Sequence, residues 1–507
     1  MNKYTVFKTG TKNNYLHSPN LEQILLLHPV LSHLLELKEK GEDLNAWLNR
    51  EAEKGITLET GEHISHDQLQ YYIRKYMFLS DCGYFNPLDT KNDICGRLTE
   101  QNIKEFLANS EQLTLEVTED CNLKCDYCGY GKFYTPYENR STKHMDISIA
   151  KKIFNYMSEA WNSNLNKSHN KDIFLSFYGG EPLMNFPLIK EMVDYSTSLP
   201  LKHNRMFFSM TSNGLLVEKY MDFLAEHRFS LLISLDGNEI HNGYRVLPNG
   251  KSSHSLVIKN IEALRTKHPD YFKKYVNFAT VLHNKNSVSE VYQYFNTTFG
   301  KKPQISELSP IRIVEEQKEL FRKTYKNFNE SLTTSHDYCD IRRDYLMEIP
   351  EGRDVCTFLS IYKGFVYNSM KRFLFPNNKQ TYIPTATCVP FSKKMFITVN
   401  GEILPCERID RRFILGHVNK ENVSLDFKEI SRKYNQLYDN ISALCQNCYR
   451  NRSCEHCMFY LDIDNLPVDC PGCSNIKRFA SYMAAQISAL ENNPNLYSLF
   501  MEEFNIS

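Results

Sequence analysis

The sequence predicts an α/β fold: a partial (β/α)6 barrel, preceded by a winged-helix-like domain and followed by a cysteine-rich, loop-rich segment. Three observations predict it. From Leu113 onward, strand-like runs alternate with helix-like segments, which argues for a parallel sheet with crossover helices. Before that stretch lie a hairpin pattern and three short helical patterns. After residue 386 the chain carries eight of its fifteen cysteines. The divisions that follow are 1–110 (winged-helix-like), 111–310 (barrel), 311–385 (a charged, aromatic, helical bridge), 386–475 (cysteine-rich) and 476–507 (a closing amphipathic helix).

In the first unit, Tyr4 to Leu16 reads as a hairpin about the polar turn Thr11 to Asn14. Helical periodicity runs from Leu21 to Lys40 and closes at Gly41. Asp43 caps a short helix through Asn49. Ser65 or His66 opens a third, with Leu69, Tyr72, Ile73, Tyr76 and Met77 at helical spacing, ended by Gly83-Tyr84-Phe85.

In the barrel, strands are expected at Leu113–Thr118, Ile173–Tyr178, Met206–Thr211, Leu231–Leu235, Val276–Val281 and Ile305–Leu308. Helices are expected between them at Asp146–Asn162, Leu188–Leu199, Lys219–His227, Ser253–Lys267 and Ser289–Phe299. In such a barrel the chemistry sits at the C-terminal strand ends.

The length of 507 residues suggests roughly three domains at about 150 residues each. Lys plus Arg equals Asp plus Glu, at 60 each, so no general field draws nucleic acid or an anionic membrane. Leu21 to Leu37 is too short and too interrupted by polar residues to span a bilayer. Met1 to Asn14 lacks the apolar core of a secretion signal, so a cytoplasmic protein is expected. In that reducing compartment clustered cysteines point to metal rather than disulfides, and eleven of the fifteen are clustered.

The first cluster, Cys121-x3-Cys125-x2-Cys128, directly follows the first barrel strand. Thiolates are the usual ligands of a four-iron cluster, and three of them leave one iron open to a small molecule. Structural zinc takes four ligands, and no fourth cysteine or histidine lies in the loop. The sequence from Leu113 to Phe299 resembles the radical SAM superfamily, and its cysteine spacing is specific to that family. The resemblance implies a [4Fe-4S] cluster that binds S-adenosyl-L-methionine, with Tyr127 against the adenine. It implies that Gly179, Gly180, Glu181 and Pro182 hold the amino group. It places Ser212, Asn213 and Ser234 near the ribose and carboxylate. Asp236 and Arg245 stand in the run D-G-x3-H-x3-R, with His241 between, as in relatives that modify peptides; Arg245 can hold a carboxylate through its planar fork.

The second set is Cys388, Cys406 (in G-x4-C from Gly401), Cys445, Cys448, Cys454, Cys457, Cys470 and Cys473. Eight cysteines can ligate two four-iron clusters or two zinc ions, and spacing alone leaves both open. The run is similar to the SPASM extension, which implies two auxiliary [4Fe-4S] clusters. It departs in two places: two residues rather than three separate Cys454 from Cys457, and two cysteines close the set where one is usual. One grouping takes Cys445, Cys448, Cys454 and one of Cys470 or Cys473, and the other takes Cys388, Cys406, Cys457 and the remaining one. Cys356 is a spare. Glu407 lies near the acidic position that serves as base in sulfatase-maturing relatives, though composition alone reads it as a surface glutamate.

The first domain resembles modules that recognise peptide leaders. The whole then reads as an oxidoreductase-like peptide maturase, with Glu407, Arg245 and Asp236 as catalytic candidates. Its expected partners are a leader-bearing precursor peptide and an electron donor such as flavodoxin or ferredoxin, without nucleic acid or membrane. Two alternatives are a sulfatase-type maturase oxidising Cys or Ser to formylglycine, and a non-catalytic zinc-binding interaction protein.

Overall fold

The computed structural model describes residues 4–86, 97–134, 141–345, 387–446 and 475–498, without 20, 22, 52–53, 59–60, 130, 132, 310–312 and 410. It also describes 352, 355, 358–359, 385, 448, 454, 456–461, 463, 468 and 470. Most of the expected bridge after 345, with Cys356, and the closing residues Pro471, Gly472 and Cys473 lie outside the described residues. The chain divides into two compact units. One comprises 1–96, 346–386 and 437–507, and the other 97–345 and 387–436.

In the first unit, β1 (Thr5–Lys8), β2 (Asn14–Ser18) and β3 (Gln23–Leu27) form an antiparallel sheet in that order. The hairpin is the expected one. The helix expected from Leu21 is not: its first part is strand β3, and α1 (Pro29–Glu39) starts only at the proline. Proline suits the first helical turn, where its missing N–H costs nothing, and His28 caps the end through Nδ1 to the Val30 N–H. The run Ile24 to Leu27 fits either period, so local apolarity could not separate strand from helix. Next come α2 (Leu44–Glu51), capped by Asp43, then β4 (Ile56–Thr57) paired with β5 (His63–Ile64). In α3 (His66–Asp81), Ser65 and Gln68 make a reciprocal capping box. Leu16, Leu31, Leu34, Trp47, Leu69 and Ile73 fill the core between sheet and helices.

The second unit opens with α4 (Glu100–Ala108) and is built on one ten-stranded sheet. Its strands are β6 (Gln112–Thr118), β7 (Lys171–Gly179), β8 (Asn204–Ser212), β9 (Ser230–Ser234), β10 (Val276–Leu282) and β11 (Gln304–Glu307), all parallel in sequence order. Each expected strand is present within two residues. The crossovers are α5 (Ile147–Trp161), α6 (Phe186–Ser198), α7 (Val217–Glu226), α8 (His254–Lys267), α9 (Pro269–Tyr275) and α10 (Val288–Phe299). Only α9 was not foreseen; Pro269 starts it directly after α8. Helix α5 buries Ala150, Ile153, Phe154, Met157 and Trp161, one stripe at helical spacing. The Trp161 indole donates to the Ser110 carbonyl at 2.9 Å, so its polar atom is satisfied inside the core. Three short helices follow, α11 (Lys318–Thr324), α12 (Phe328–Thr333) and α13 (Tyr338–Asp344).

The sheet does not stop at the six strands read from sequence. From the cysteine-rich segment, β12 (Lys394–Ile397) adds in parallel to the free edge of β6. An antiparallel meander continues through β13 (Glu402–Leu404), β14 (Gly416–Val418) and β15 (Val423–Leu425). Helix α14 (Phe427–Cys445) follows, and α15 (Ile476–Asn492) belongs to the first unit.

Helix α15 is held to the β1–β2 hairpin by one carboxylate. Glu491 accepts from Asn13 Nδ2 and Tyr15 Oη, each at 2.8 Å, and from the Thr11 hydroxyl. Burial alone would raise the Glu491 carboxyl, but these hydrogen bonds outweigh it and hold it below its ordinary value. A depressed carboxyl stabilises the fold above its unfolded value and loses that contribution as pH falls through its folded value. Glu491→Ala is expected to lower the stability of this unit by about 1–2 kcal/mol at neutral pH and by less in acid, measured by urea unfolding with a near-hairpin probe.

Candidate functional site

Strand β6 ends at Thr118, and the cysteine loop begins three residues later. The loop is stapled to the segment after β9: the Lys124 N–H donates to the Val246 carbonyl at 2.8 Å and the Asp126 N–H to the Tyr244 carbonyl at 3.2 Å. Cys121, Cys125 and Cys128 all line one cavity of about 310 Å³ at the C-terminal ends of β6 to β9. Around them stand Tyr127, Gly179, Gly180, Ser212, Asn213, Ser234 and Arg245, each expected from the sequence.

Gly179 is needed for its backbone. Its φ is 137°, and a Cβ there would overlap the Thr118 carbonyl oxygen. The Gly180 N–H donates to that same oxygen at 2.9 Å, so the end of β7 is locked to the start of the cysteine loop.

Glu181 and Pro182 do not line the cavity. The Glu181 carboxylate is buried behind it and accepts from Ser212 Oγ at 2.9 Å, the Asn213 N–H at 2.7 Å and the Leu183 N–H at 3.2 Å. It thereby ties the end of β7 to the end of β8. Asn213 in turn donates to Asn122 Oδ1 at 2.7 Å and points Nδ2 at Cys121 Sγ, 3.7 Å away. Burial pushes the Glu181 carboxyl up to about 7 against the opposing pull of its three donors.

Asp236 also lies behind the wall rather than in it. It accepts from the Tyr127 hydroxyl, from Arg245 Nη2 at 3.2 Å and from the Val281 N–H at 3.0 Å. Arg245 Nε is 3.1 Å from Oδ2. Burial would raise the Asp236 carboxyl, but Arg245, then His283 and Tyr127, hold it at about 2. Among the named candidates Tyr127 and Arg245 thus both bond Asp236 and face the cavity. His241 is buried nearby, 4.0 Å from Glu290.

The opposite wall comes from the meander: Phe396, Thr398, Leu404, Cys406, Glu407, Ile409 and Arg411. Glu407 is not a surface residue. It is mostly buried, lines the cavity and pairs with Lys394 Nζ at 3.1 Å. Lys394, Arg411, His283 and Tyr178 were not foreseen. Tyr178 had a local signal, since it directly precedes Gly179. Lys394 and Glu407 meet because the β12–β13 hairpin folds back, which spacing alone does not reveal. Cys388 is exposed, and the Arg408 N–H points at Cys406 Sγ at 3.2 Å. In the first unit, Cys445 ends α14 and its carbonyl accepts from the Cys448 N–H at 3.1 Å; Cys454, Cys457 and Cys470 follow in the described positions.

The three loop thiols fit a thiolate-held cluster. They share one cavity, and the Cys121 sulfur faces two N–H donors, from Leu123 at 3.4 Å and Asn213. They line that cavity without forming a closed set: among the described residues no three His, Cys, Asp or Glu side chains are gathered at metal-binding distance. A parallel α/β sheet with such a loop after a barrel strand, facing a glycine-backed cavity, defines a cofactor-dependent enzyme with a thiolate-held group.

Residues 115–295 match the radical SAM superfamily, and residues 388–458 match SPASM, an iron-sulfur cluster-binding domain. The chain is a radical SAM enzyme with a SPASM domain, and its cofactors are S-adenosylmethionine and [4Fe-4S] clusters. The non-catalytic zinc alternative is thereby set aside. The chain is 25% identical over 342 residues to a cysteine-type anaerobic sulfatase-maturating enzyme of Clostridium novyi, covering 65% of this chain and 83% of that one. It is 27% identical over 222 residues to a radical SAM cyclopropyl synthase of Paramaledivibacter caminithermalis, covering 43% of each. A solved structure of native anSMEcpe with bound AdoMet and Kp18Cys peptide aligns at 19% identity and TM-score 0.49, covering 77% of this chain and 99% of that one. No helix among the described residues is long and apolar enough to cross a membrane.

The raised Glu181 carboxyl has a consequence for stability. The folded protein binds this proton more tightly than the unfolded chain, so stability is full below the ordinary glutamate range and falls as pH rises through about 7. The size is on the order of 3 kcal/mol. Glu181→Gln is expected to flatten the stability difference between about pH 5 and pH 8, measured by denaturant unfolding.

Proposed function

We propose that this enzyme modifies a residue of a ribosomally made precursor peptide, which it holds through its N-terminal unit. The observation that carries this reading is the shared cavity: the cysteine loop on one side, and Cys406, Glu407 and an apolar wall from the SPASM segment on the other. That space offers a second surface for a substrate side chain. When bound, the cluster and S-adenosylmethionine supply a 5′-deoxyadenosyl radical that abstracts hydrogen. The chain's own residues do the rest. Cys121, Cys125 and Cys128 would hold the first cluster. Tyr127 and Arg245 would bound the adenosyl and carboxylate ends, and the Gly179–Gly180 backbone would meet the amino group. Glu407, held by Lys394, would take a proton from the substrate. Asp236 would position Tyr127 and Arg245 without touching substrate. Cys388, Cys406, Cys445, Cys448, Cys454, Cys457, Cys470 and Cys473 would hold two auxiliary clusters.

The peptide reading is supported by the first unit. Strand β3 is an edge of its sheet and lies along α3: Tyr84, just past the helix, donates to Gln23 at 2.6 Å, and His28 stacks on Tyr72 at 4.5 Å. Leu26 on β3 is 61% exposed, and Tyr71 and Phe78, one heptad apart on α3, are 53% and 66% exposed. An extended peptide can pair with an edge strand and place apolar side chains on such a surface. Tethering it there raises the effective concentration of its core at the cavity to roughly the millimolar range. The sulfatase-maturating relative's name fits a protein substrate, and the modification proposed is crosslink formation. The sulfatase-type alternative, oxidation of Cys or Ser, needs no such first unit.

Two tests follow. Replacing Cys121, Cys125 and Cys128 together by Ala is expected to abolish reductive formation of 5′-deoxyadenosine while auxiliary iron remains. Full reconstitution should give about twelve irons per wild-type chain, counting four per cluster; about four irons with tightly held zinc would overturn the auxiliary assignment. Leu26→Arg with Phe78→Glu is expected to reduce modification of a leader-bearing precursor by at least about tenfold, the loss of one or two buried apolar anchors. A leaderless core should be processed as by wild type. Equal rates on the leader-bearing precursor would exclude this surface as the leader site.

A further inference from the structure

The buried groups behind the cysteine loop form a single hub. Asp236 is fully buried and receives the Tyr127 hydroxyl, Arg245 Nη2 and the Val281 N–H, with Arg245 Nε ion-paired at 3.1 Å. A fifth group, His283, closes the set and belongs to no local motif. It follows β10, is fully buried, and its Nε2 lies 3.6 Å from Asp236 Oδ2. Its Nδ1 accepts from the Lys285 N–H at 3.1 Å, so the proton of the neutral ring sits on Nε2, toward Asp236. Its backbone N–H donates to Asn286 Oδ1 at 2.9 Å, and Asn286 Nδ2 reaches the Asp236 carbonyl at 3.3 Å. The imidazole packs 5.9 Å from the Tyr127 ring and edge-on to Tyr244 at 4.9 Å. The Arg245 guanidinium lies 5.3 Å from the Tyr127 ring centre.

Two members of this hub, Tyr127 and Arg245, line the cavity, and the others do not. Next to Tyr127 the loop is fastened by backbone hydrogen bonds to 244 and 246, and farther along by Asn213 on Asn122. Backbone bonds fix where the chain runs but leave the tyrosine ring and the arginine fork free to turn. We propose that His283 and Asp236 are positioning residues for S-adenosylmethionine, which fix the Tyr127 ring and the Arg245 fork in the wall they present to it. The inference rests on the S-adenosylmethionine chemistry of the domain and is independent of the substrate.

The test uses reconstituted holoenzyme without any peptide. The Kd for S-adenosylmethionine is read by equilibrium dialysis, and the reduced first cluster by its EPR spectrum with and without S-adenosylmethionine. His283→Leu removes the N–H, and His283→Gln supplies a replacement donor. Removing the imidazole N–H from beside the buried Asp236 carboxylate, 3.6 Å away, should raise Kd about tenfold in His283→Leu and broaden the S-adenosylmethionine-induced EPR signal, with substantial recovery in His283→Gln. Tyr127→Phe, which keeps the ring and deletes one oxygen, should shift both readouts the same way. The double variant should be no worse than the poorer single one, since both act on one hub. A wild-type Kd and EPR signal in His283→Leu overturns the proposal. If His283→Leu fails to load iron, a wild-type Kd in Tyr127→Phe overturns it instead. Additive losses in the double variant also overturn it, because two independent contacts would add.

Discussion

Strand β6 is hydrogen-bonded in parallel along both edges, to β7 on one side and β12 on the other. Its residues Leu113, Leu115 and Val117 are completely buried, so the strand has no freedom to slip. The cysteine loop hangs from its end, and everything that faces the loop is registered through it. The β7 edge sets the Gly179–Gly180 turn against Thr118. The β12 edge brings in the hairpin that carries Cys406 and Glu407. A buried carboxylate on β6 itself, Glu116, accepts the Val399 N–H at 3.0 Å and fixes where that hairpin turns. One strand therefore sets the distance between the two walls of the cavity.

The polar groups behind the walls are arranged so that few are left to the cavity. Glu181 spends its lone pairs on the ends of β7 and β8. Asp236 spends its own on Tyr127, Arg245 and β10. Glu407 is matched by Lys394, and Arg411 reaches Glu402 at 3.2 Å and Glu119 at 3.5 Å. Buried charges persist only when paired or hydrogen-bonded, and each of these is. The result is a cavity whose shape is set by ionic struts in and behind its walls, while its lining mixes thiols, glycine backbone, paired charges and apolar side chains.

The barrel was legible because its signals are local. Alternating apolar runs with helical stripes between them placed six strands and five helices within a few residues, and C-x3-C-x2-C marked the loop after the first strand. The misses have local causes too. Ile24 to Leu27 is apolar and fits either period, and only the proline at 29 separates strand from helix. The parallel joining of β12 to β6 pairs residues about 280 apart in sequence, which no periodicity registers. The Gly179–Gly180 turn could be read, but Glu181 and Asp236 are of types usually met at surfaces, and their burial follows from partners on other strands. His283 sits in no motif, so only the meeting of β9, β10 and the cysteine loop exposes it. Glu407 was visible, whereas its counterion on the facing strand was not.

The Glu491 contact makes the first unit discontinuous in the chain, because residues 11 to 15 and residue 491 must meet while 97–345 lie between them. A ribosome therefore delivers the hairpin long before its carboxylate acceptor. At roughly 5–20 residues per second the wait lasts tens of seconds, during which three donors and one apolar face stay hydrated and exposed. The inserted unit has all its sheet partners by residue 425 and can close first. Synthesis order thus favours a protein whose catalytic half matures before the half that contains its first residues, and a chaperone or a slow codon stretch would act on the waiting hairpin rather than on the barrel.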